Sequence, residues 1–399
     1  MVAIIAAWAS VACYAAAALG SCYALFAAVA AWRFAGKSFT GKTFTSKTFA
    51  DPRDALPANL SPVTILKPLH GGEPDLYAQL AGFCRQEYPQ PVQIVFGVAD
   101  AADPATATVR QLIADFPDRD LALVVNARRH GANAKVSNLI NMQSAMRHEL
   151  LILSDSDIVV AADYLRHVVG ALERPGVGLV TCLYRGAGSG LWSQLAAMAI
   201  DYHFLPNVLV GLRLGMASPC FGSTIALRKA TLASIGGFEA VVDQLADDYA
   251  LGALVRRAGL AVAIPRHIVT HACVERSAGE LFRHELRWAR TIRSVDPSGF
   301  AGLAVTHAVP LALLGLLFGG ISPAALTIIV ALACRYALAL ELDSAFALRG
   351  RRLWLLPLRD LLSFAIFLAS FFGRDIEWRG QRYDVRPDKT LAYYGEVET

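Results

Sequence analysis

The residues best placed for chemistry are two aspartates, Asp155 and Asp157, which directly follow the apolar segment 150–153. Carboxylates at positions i and i+2 of a turn that ends a strand can together hold a hard divalent cation. Such a cation neutralises a diphosphate and stabilises it as a leaving group. A solvated acidic turn is the alternative interpretation, but the preceding strand is strongly apolar and the pair follows it abruptly. The pattern therefore favours a metal-assisted diphosphate site.

Two further acidic positions could serve the same site. Asp100 ends the apolar segment 92–98, where a carboxylate can accept hydrogen bonds from the base or ribose of a nucleotide. An aspartate at such a position more often simply starts a turn. Asp248, in the run Asp247-Asp248-Tyr249, could take the proton from an attacking hydroxyl. Capping of the helix predicted at 250–258 explains this aspartate equally well.

A basic helical segment carries the fourth cluster, His284, Arg287 and Trp288. Arg287 could clamp a phosphate, and Trp288 offers an apolar face with a polar edge at a membrane surface. A basic amphipathic helix lying at the membrane interface is the simpler interpretation, and the two are compatible.

The composition is that of a membrane protein with one water-facing domain. Hydrophobic residues make up 55% of the 399 residues, charged residues only 18%, and the mean hydropathy is +0.42. Soluble domains usually contain about 25% charged residues. The net charge of +4 comes without a long basic run, so nucleic acid is not an expected partner. The seven scattered cysteines include no C-x-x-C pair and are expected to be reduced, buried thiols.

The N-terminal segment, 1–34, is predicted to be an uncleaved transmembrane anchor. Residues 2–32 carry no charge and exceed the length needed to cross a membrane, whereas a cleaved signal peptide would have a basic start and a shorter apolar stretch. The basic residues that follow place the N-terminus outside and the next segment in the cytoplasm. Segment 35–60 is predicted to be a basic juxtamembrane linker. The residues Gly36-x4-Gly41-Lys42-Thr43 of this region match the P-loop sequence motif. We reject a P-loop because no strand precedes these residues and no helix follows them.

The middle of the chain, 61–297, has the pattern of an α/β domain. Apolar segments at 63–66, 92–98, 121–125, 150–153 and 178–182 alternate with helical patterns at 76–87, 105–116 and 134–148. Such alternation predicts a mostly parallel sheet covered by helices. Ligands of these sheets bind beyond the carboxyl ends of the strands, where the acidic residues fall.

The C-terminal part is predicted to contain membrane segments at 298–373 and a cytoplasmic tail at 374–399. Two apolar stretches, 301–320 and 323–342, form a predicted hairpin. The third stretch, 353–373, either spans or re-enters. Spanning would put the basic tail outside, against the positive-inside rule, and re-entry would keep the tail inside.

The ordered set of clusters resembles the ceramide glucosyltransferase family, whose signature is Asp, Asp-x-Asp, Asp and (Gln/Arg)-x-x-Arg-Trp. The likeness extends from about residue 61 to 390. The shared blocks are Lys67-Pro68-Leu69 with Pro74, Asn133-Ala-Lys135 with Asn138, Ala246-Asp247-Asp248-Tyr249, and Trp378-Arg379 with Arg382-Tyr383. Bacterial glycosyltransferases of hopanoid biosynthesis are close relatives with the same blocks.

The resemblance implies an A-type, Rossmann-like glycosyltransferase fold and an inverting single displacement. It implies that Asp100 binds the uridine of a UDP-sugar, that Asp157 and Asp155 hold Mn²⁺ or Mg²⁺ with the diphosphate, and that Lys135 contacts the nucleotide. Asp248 would be the catalytic base, and Arg287 and Trp288 would lie on the acceptor side. The position that is Gln or Arg in the family is His284 here, which leaves its role open, with Arg283 as a neighbouring substitute.

The leading hypothesis is hexose transfer from a UDP-sugar to a membrane lipid such as ceramide. The enzyme would be a multi-pass protein of a bacterial-type inner membrane with a cytoplasmic catalytic domain. A close alternative is transfer of N-acetylglucosamine to a hopanoid polyol. A different class, a membrane-anchored scaffold that only binds the nucleotide sugar, is disfavoured because the acidic set is intact.

Overall fold

The structure is a computed structural model that describes residues 1–36, 60–319, 321–348, 350, 352–373, 375–378, 381–385 and 390–396. Most of the predicted linker at 35–60 lies outside the described residues. The same is true of the basic residues Arg349, Arg351, Arg374, Arg379, Arg386 and Lys389.

The predicted α/β domain is built on two sheets. Its strands are β1 (Val63–Pro68), β2 (Val92–Val98), β3 (Asp120–Val125), β4 (Leu150–Leu153), β5 (Ile158–Val159), β6 (Val177–Thr181), β7 (Leu183–Ala187), β8 (Ile225–Arg228), β9 (Ala261–Ala263) and β10 (Ile268–Ala272). The larger sheet has the order β3-β2-β1-β4-β8-β6-β9, and the smaller one has the order β5-β10-β7. The five strands expected from the sequence are all present.

Four neighbouring strands of the larger sheet, β3-β2-β1-β4, run parallel, as the sequence predicts. Strand β8 runs antiparallel to both of its neighbours, so the sheet is mixed. The side chains of β1 and β4 are buried throughout, which explains why the segments 63–66 and 150–153 are mostly apolar. The parallel arrangement brings the carboxyl ends of β1, β2 and β4 to one edge.

Helices cover the sheets and form a separate apolar layer. They are α1 (Val2–Phe34), α2 (Leu76–Cys84), α3 (Pro104–Asp115), α4 (Ala134–Met142), α5 (Tyr164–Leu172), α6 (Leu191–Ala199), α7 (Leu205–Leu214), α8 (Lys229–Ser234), α9 (Asp247–Arg257), α10 (Ala278–Val295), α11 (Pro297–Gly302), α12 (Ala308–Gly319), α13 (Ile321–Phe346) and α14 (Leu356–Ala369). Buried side chains from both faces of the larger sheet form two core clusters, and a third lies among the apolar helices.

Within the described residues, three helical segments are long and apolar enough to cross a membrane: 4–34, 191–214 and 324–346. The first and last are candidate spans that coincide with the predicted anchor and with the second arm of the predicted hairpin. Helix α1 packs against α12 and α13 with little space between them. A Cβ on Gly20 would approach the carbonyl oxygen of Val305 to 2.4 Å, and one on Gly315 would approach the Tyr14 ring to 2.5 Å. Small residues of this kind let membrane helices approach closely.

The first arm of the predicted hairpin, 301–320, differs from a straight span. The helical segment 297–306 and helix α12 are bent by 67° relative to each other. The cause is Pro310, whose ring would clash with the carbonyl group of Thr306 four residues earlier in a continuous helix. This arm is therefore a broken span or a re-entrant segment.

The segment 191–214 passes the same test of length and hydropathy, but 67% of its apolar window is buried inside the protein. Helices α6 and α7 are joined there by a π-helical turn, Ile200–Phe204. Strand β7 ends before the segment, and ten residues, 215–224, separate the segment from β8. Ten extended residues reach at most about 36 Å. A single crossing would leave almost no chain to return to the sheets, so the segment is an internal helix pair.

The third apolar stretch contains helix α14, whose 14 residues extend only about 21 Å. This is too short to cross the hydrocarbon core of about 30 Å. The tail forms a small antiparallel sheet of β11 (Asp375–Trp378), β12 (Gln381–Val385) and β13 (Leu391–Glu396). Strand β11 contacts α10, and Thr390 forms a bridge with Gln244 of the α/β domain. The length of α14 and these contacts favour re-entry and a tail on the domain's side.

Candidate active site

Lys135 joins the two acidic pairs that the sequence singles out. Asn133 caps α4 by accepting hydrogen bonds from the backbone N–H groups of Lys135 and Val136, which fixes Lys135 in the first helical turn. Its Nζ lies 2.6 Å from Asp155 Oδ1 and 3.5 Å from Asp247 Oδ2. Burial alone would lower the pKa of Lys135, but the neighbouring carboxylates raise it above its ordinary value. The lysine therefore stays charged and holds the two carboxylates together.

The backbone of Gly222 connects the Asp-x-Asp turn to the proposed base. Its carbonyl oxygen accepts a hydrogen bond from the Asp155 N–H (3.1 Å), and its own N–H donates to Asp248 Oδ2 (2.9 Å). A Cβ at this position would lie 2.4 Å from Asp155 Oδ2 and 3.1 Å from Lys135 Nζ. Only glycine fits this arrangement.

Asp248 lies in the first turn of α9, and its second oxygen accepts from the N–H of Tyr249. Burial, followed by the charge of Asp247, raises the pKa of Asp248 to about 7. A general base works best with a pKa near the working pH. The carboxylate therefore suits proton abstraction from a hydroxyl near neutral pH.

Asp157 links the acidic turn to α10 through the ring of His271. His271 Nδ1, on β10, lies 3.4 Å from Asp157 Oδ2, and the two segments also share the hydrogen bond from Ala272 N to the Asp157 carbonyl. Burial would raise the pKa of Asp157, but the charges of His271 and Lys67 outweigh it and lower the pKa. The centroid of the His271 ring lies 5.6 Å from that of Trp288. Asp157 and Trp288 thus belong to one cluster.

His284 packs edge-on against Trp288 at 4.7 Å between ring centroids, and its Nδ1 lies 2.5 Å from Glu275 Oε1. Burial would raise the pKa of Glu275, but the interaction with His284 lowers it. Glu275 is therefore an anion that orients the histidine standing at the family's Gln or Arg position. The second oxygen of Glu275 is buried and has no hydrogen bond within the described part of the chain.

Lys67 lies beneath the Asp-x-Asp turn and is fully buried at the end of β1. Its Nζ donates to the carbonyl oxygen of Asp155 and lies 4.0 Å from the centre of the Phe83 ring. Burial lowers the pKa of Lys67 to about 7, although the nearby carboxylates act in the opposite direction. Its hydrogen bond to the backbone of Asp155 therefore helps to hold the turn in place.

The two remaining predicted site residues are Asp100 and Arg287. Asp100 is exposed after β2, at the sheet edge that also bears the end of β4, and accepts a hydrogen bond from the Ala102 N–H. This geometry is that of a turn, and it leaves the nucleotide role a prediction. Arg287 precedes Trp288 on α10.

The Asp-x-Asp pair fits a hard divalent cation. The side chains of Asp155 and Asp157 are 35% and 37% exposed, and each uses one oxygen for the ion pairs with Lys135 and His271. In the described part of the chain, no hydrogen bond or ion pair occupies their second oxygens. Mg²⁺-type sites commonly combine one or two carboxylates with substrate phosphates and water. The pair would hold the cation, and the diphosphate would complete its ligands.

Sequence reasoning missed four residues of this cluster: Lys67 as a support, Gly222, His271 and Glu275. Lys67 could have been recognised from the sequence, because a charged residue inside the otherwise uncharged segment 63–68 is unusual in a buried strand. Gly222 and His271 meet their partners only through long-range contacts, whereas Glu275 contacts His284 nine residues further along the chain, ahead of and within α10. Nothing in the local sequence indicates these three residues.

The sheet, the convergent acidic cluster and the apolar helices together define a glycosyltransferase of the A-type fold that carries candidate membrane spans. The model of Glycosyl transferase family 21 matches residues 7–391. The chain belongs to this family.

Curated relatives and a solved structure are similar over different parts of the chain. Ceramide glucosyltransferase 1 of Caenorhabditis elegans is 25% identical over 230 residues, which are 57% of this chain and 49% of that protein. Ceramide glucosyltransferase 3 of the same organism is 22% identical over 369 residues, 85% of this chain and 75% of that protein. The match to the first of these spans only about half of its length. The mannosyltransferase PcManGT of Pyrobaculum calidifontis, solved with GDP-Man and Mn²⁺, is 20% identical, covers 90% of this chain and 99% of its own, and has a TM-score of 0.49.

Proposed function

We propose that this protein transfers a hexose from a UDP-sugar to the hydroxyl of a membrane lipid of the ceramide type, with inversion at the anomeric carbon. The observation that carries the proposal is the convergence of Asp155, Asp157, Asp248 and Trp288 on one cluster, joined through Lys135, Gly222 and His271. Family membership and the ceramide glucosyltransferase relatives support a lipid acceptor.

In the proposed reaction, Asp248 takes the proton of the lipid hydroxyl as its oxygen attacks the anomeric carbon. The new glycosidic C–O bond forms while the bond from that carbon to the β-phosphate oxygen breaks, and UDP leaves. A divalent cation held by Asp155 and Asp157 would neutralise the diphosphate. Lys135 and Lys67 keep the Asp-x-Asp turn in position, and Asp100 is proposed to bind the uridine.

The acceptor side is proposed to be formed by α10, with His284, Arg287 and Trp288. This helix contacts α6 and the short helix α14, so it lies next to the apolar layer. The surface of that layer bears large apolar side chains, including Trp8 (71% exposed), Leu317 (77%) and Trp354 (70%). A lipid hydroxyl could therefore reach Asp248 laterally from the bilayer.

We place segment 61–297 in the cytoplasm and the protein in a bacterial-type inner membrane. Arg33 at the end of α1 supports this orientation.

The test uses the full-length protein in nanodiscs that contain ceramide, with radiolabelled UDP-glucose and Mn²⁺. Label is expected in the lipid fraction, and mass spectrometry should identify a β-linked glucosylceramide. Parallel nanodiscs with a hopanoid polyol and UDP-N-acetylglucosamine test the alternative acceptor and donor. Label in the hopanoid alone would replace ceramide as the acceptor.

A matched pair of variants tests the mechanism. Asp248→Asn should abolish transfer while leaving donor binding intact, because only the proton acceptor is lost. Asp118→Asn, at an exposed position between α3 and β3, should transfer normally. If Asp248→Asn transferred the sugar at the normal rate, Asp248 would not be the catalytic base. If the unmodified protein bound the donor but transferred sugar to no lipid, the scaffold hypothesis would be favoured.

A further inference from the structure

A second group of potential metal ligands lies outside the proposed active site. Asp163, His167 and His267 each offer one ligand atom, and these atoms lie within 4.8 Å of one another. Asp163 Oδ2 is 3.1 Å from His167 Nε2. The rings of His167 and His267 stack, with centroids 4.8 Å apart and an interplanar angle of 22°. Three side chains that commonly bind metals thus converge on one point of the surface.

Two separate elements supply these side chains. Asp163 immediately precedes α5, and His167 follows it by one helical turn, so both project from the same face. His267 immediately precedes β10. The group therefore connects the start of α5 to the start of a strand about 100 residues further along the chain.

Among the three side chains, that of His267 gives the clearest indication of a bound ligand. Its Nε2 is buried and has no hydrogen-bond partner among the residues that the structure describes. Buried polar atoms are nearly always paired, so such an atom calls for an explanation. A cation bound to this nitrogen would supply the missing partner.

We propose that Asp163, His167 and His267 bind a transition-metal cation of the Zn²⁺ class, with water as the fourth ligand. Two imidazoles and one carboxylate suit Zn²⁺, Co²⁺ or Ni²⁺, whereas Mg²⁺ and Mn²⁺ favour oxygen ligands. The side chain of His167 is 42% exposed and can rotate to direct its nitrogen at the cation. The chain would then carry two cations of different chemistry, a hard one at the Asp-x-Asp turn and a borderline one here.

The site would brace the strand pair that holds the Asp-x-Asp turn. Strands β5 and β10 pair antiparallel, with His271 opposite Ile158 and Thr270 opposite Val159. At one end of this pair His271 contacts Asp157, and at the other end lie Asp163 and His267. A cation at the second end ties the two segments at both ends. Its role is structural, and it does not depend on the proposed reaction.

The test is Co²⁺ binding to the full-length protein in detergent, purified without a polyhistidine tag and freed of metal by a chelator. Tetrahedral Co²⁺ with nitrogen ligands absorbs strongly in the visible range, whereas octahedral Co²⁺ with oxygen ligands absorbs weakly. The spectrum therefore separates this site from the Asp-x-Asp pair without any substitution there. One strongly absorbing Co²⁺ per chain is expected, and Zn²⁺ should displace it.

Two histidine variants and a matched control complete the test. His167→Gln and His267→Gln should each weaken Co²⁺ binding by at least about 10- to 100-fold, because even indirect ligand partners have effects of this size. They should also remove the rise in unfolding temperature that Zn²⁺ gives the unmodified protein. His148→Gln removes a histidine elsewhere and should change neither quantity. His167 is partly exposed, so its variant is expected to fold even where the other does not.

Three results would overturn the proposal: no strong absorption in the unmodified protein, an unchanged spectrum in His167→Gln, or the charge-transfer bands of a thiolate ligand. None of them bears on sugar transfer, which is measured separately.

Discussion

The guanidinium of Arg359 and the carboxylate of Glu285 form a bidentate ion pair, with both N–O distances at 2.6 Å. Arg359 is fully buried and also donates to the carbonyl oxygen of Leu195 at 3.1 Å. The pair therefore ties α10, which carries Trp288, to the short apolar helix α14 and to α6. Arg359 thus helps to fix the proposed acceptor side to the apolar layer, together with Arg290 and Arg293 of α10, which donate to the carbonyl oxygens of Phe372 and Gly373.

Glu285→Ala is expected to destabilise the protein strongly. The substitution leaves the Arg359 charge buried without its anion, and breaking a buried pair in this way costs about 3–5 kcal/mol. Unfolding of the full-length protein in detergent, followed by circular dichroism, measures the loss as a lower midpoint. Asp120→Ala breaks the exposed pair with Arg147, at 2.7 Å, and should cost no more than about 1 kcal/mol. Equal losses from the two substitutions would contradict this account of Arg359.

Transfer activity is expected to fall as the pH drops below about 7. Burial and the charge of Asp247 raise the pKa of Asp248 to about 7, and only the ionised carboxylate can accept the proton. The ratio kcat/KM should therefore decrease about tenfold per pH unit on the acid side and level off above neutrality. Asp247→Asn removes a charge that raises this pKa, so its acid limb should move to lower pH.

The control for this pH profile is Asp118→Asn, which should keep the acid limb in place. A limb that moves to higher pH in Asp247→Asn would contradict the assignment of Asp248 as the titrating base.

The sequence was sufficient for those parts of the structure that depend on local pattern. Buried parallel strands appear in the sequence as mostly apolar segments, and the predicted bounds of β2 and β4 agree with the structure. Aspartates placed at strand ends or ahead of a helix could be recognised in the same way, and Asp155, Asp157 and Asp248 do converge. The length of α1 was equally readable from its uncharged composition.

Features that depend on tertiary contacts could not be predicted from the sequence. The segment 191–214 has the hydropathy of a span, and only its burial and its position between β7 and β8 show that it is internal. His271 was missed because the residue that explains it, Asp157, lies more than 100 residues earlier in the chain. The ion pair of Arg359 with Glu285 could not be predicted either, because its partners lie far apart in the sequence. An arginine in an apolar stretch indicates an interrupted membrane segment as readily as a buried ion pair.

Gly222→Ala is expected to reduce transfer with little effect on folding. The added Cβ would lie 2.4 Å from Asp155 Oδ2, so the Asp-x-Asp turn and the backbone bonded to Asp248 must move apart. Displacements of about 1 Å in an active site can cost about 100-fold in rate. Gly302→Ala is the matched control, because its Cβ meets nothing within 4 Å. Equal activity of the two variants would show that the Gly222 contact does not position the site.

Removal of divalent cations should abolish binding of the nucleotide-sugar donor, and Mn²⁺ or Mg²⁺ should restore it. The second oxygens of Asp155 and Asp157 are the proposed ligands of the cation. Asp157→Asn should therefore weaken the dependence of donor binding on Mn²⁺ and lower the rate of transfer by about 100-fold or more. A loss of this size corresponds to the several kcal/mol by which a metal stabilises a charged leaving group. Calorimetric titration of UDP with and without Mn²⁺ measures the binding. Asp163→Asn changes a carboxylate of the separate His-containing group and should leave this Mn²⁺ response unchanged. If Asp163→Asn suppressed the response and Asp157→Asn did not, the donor's cation would have to be assigned to the other group.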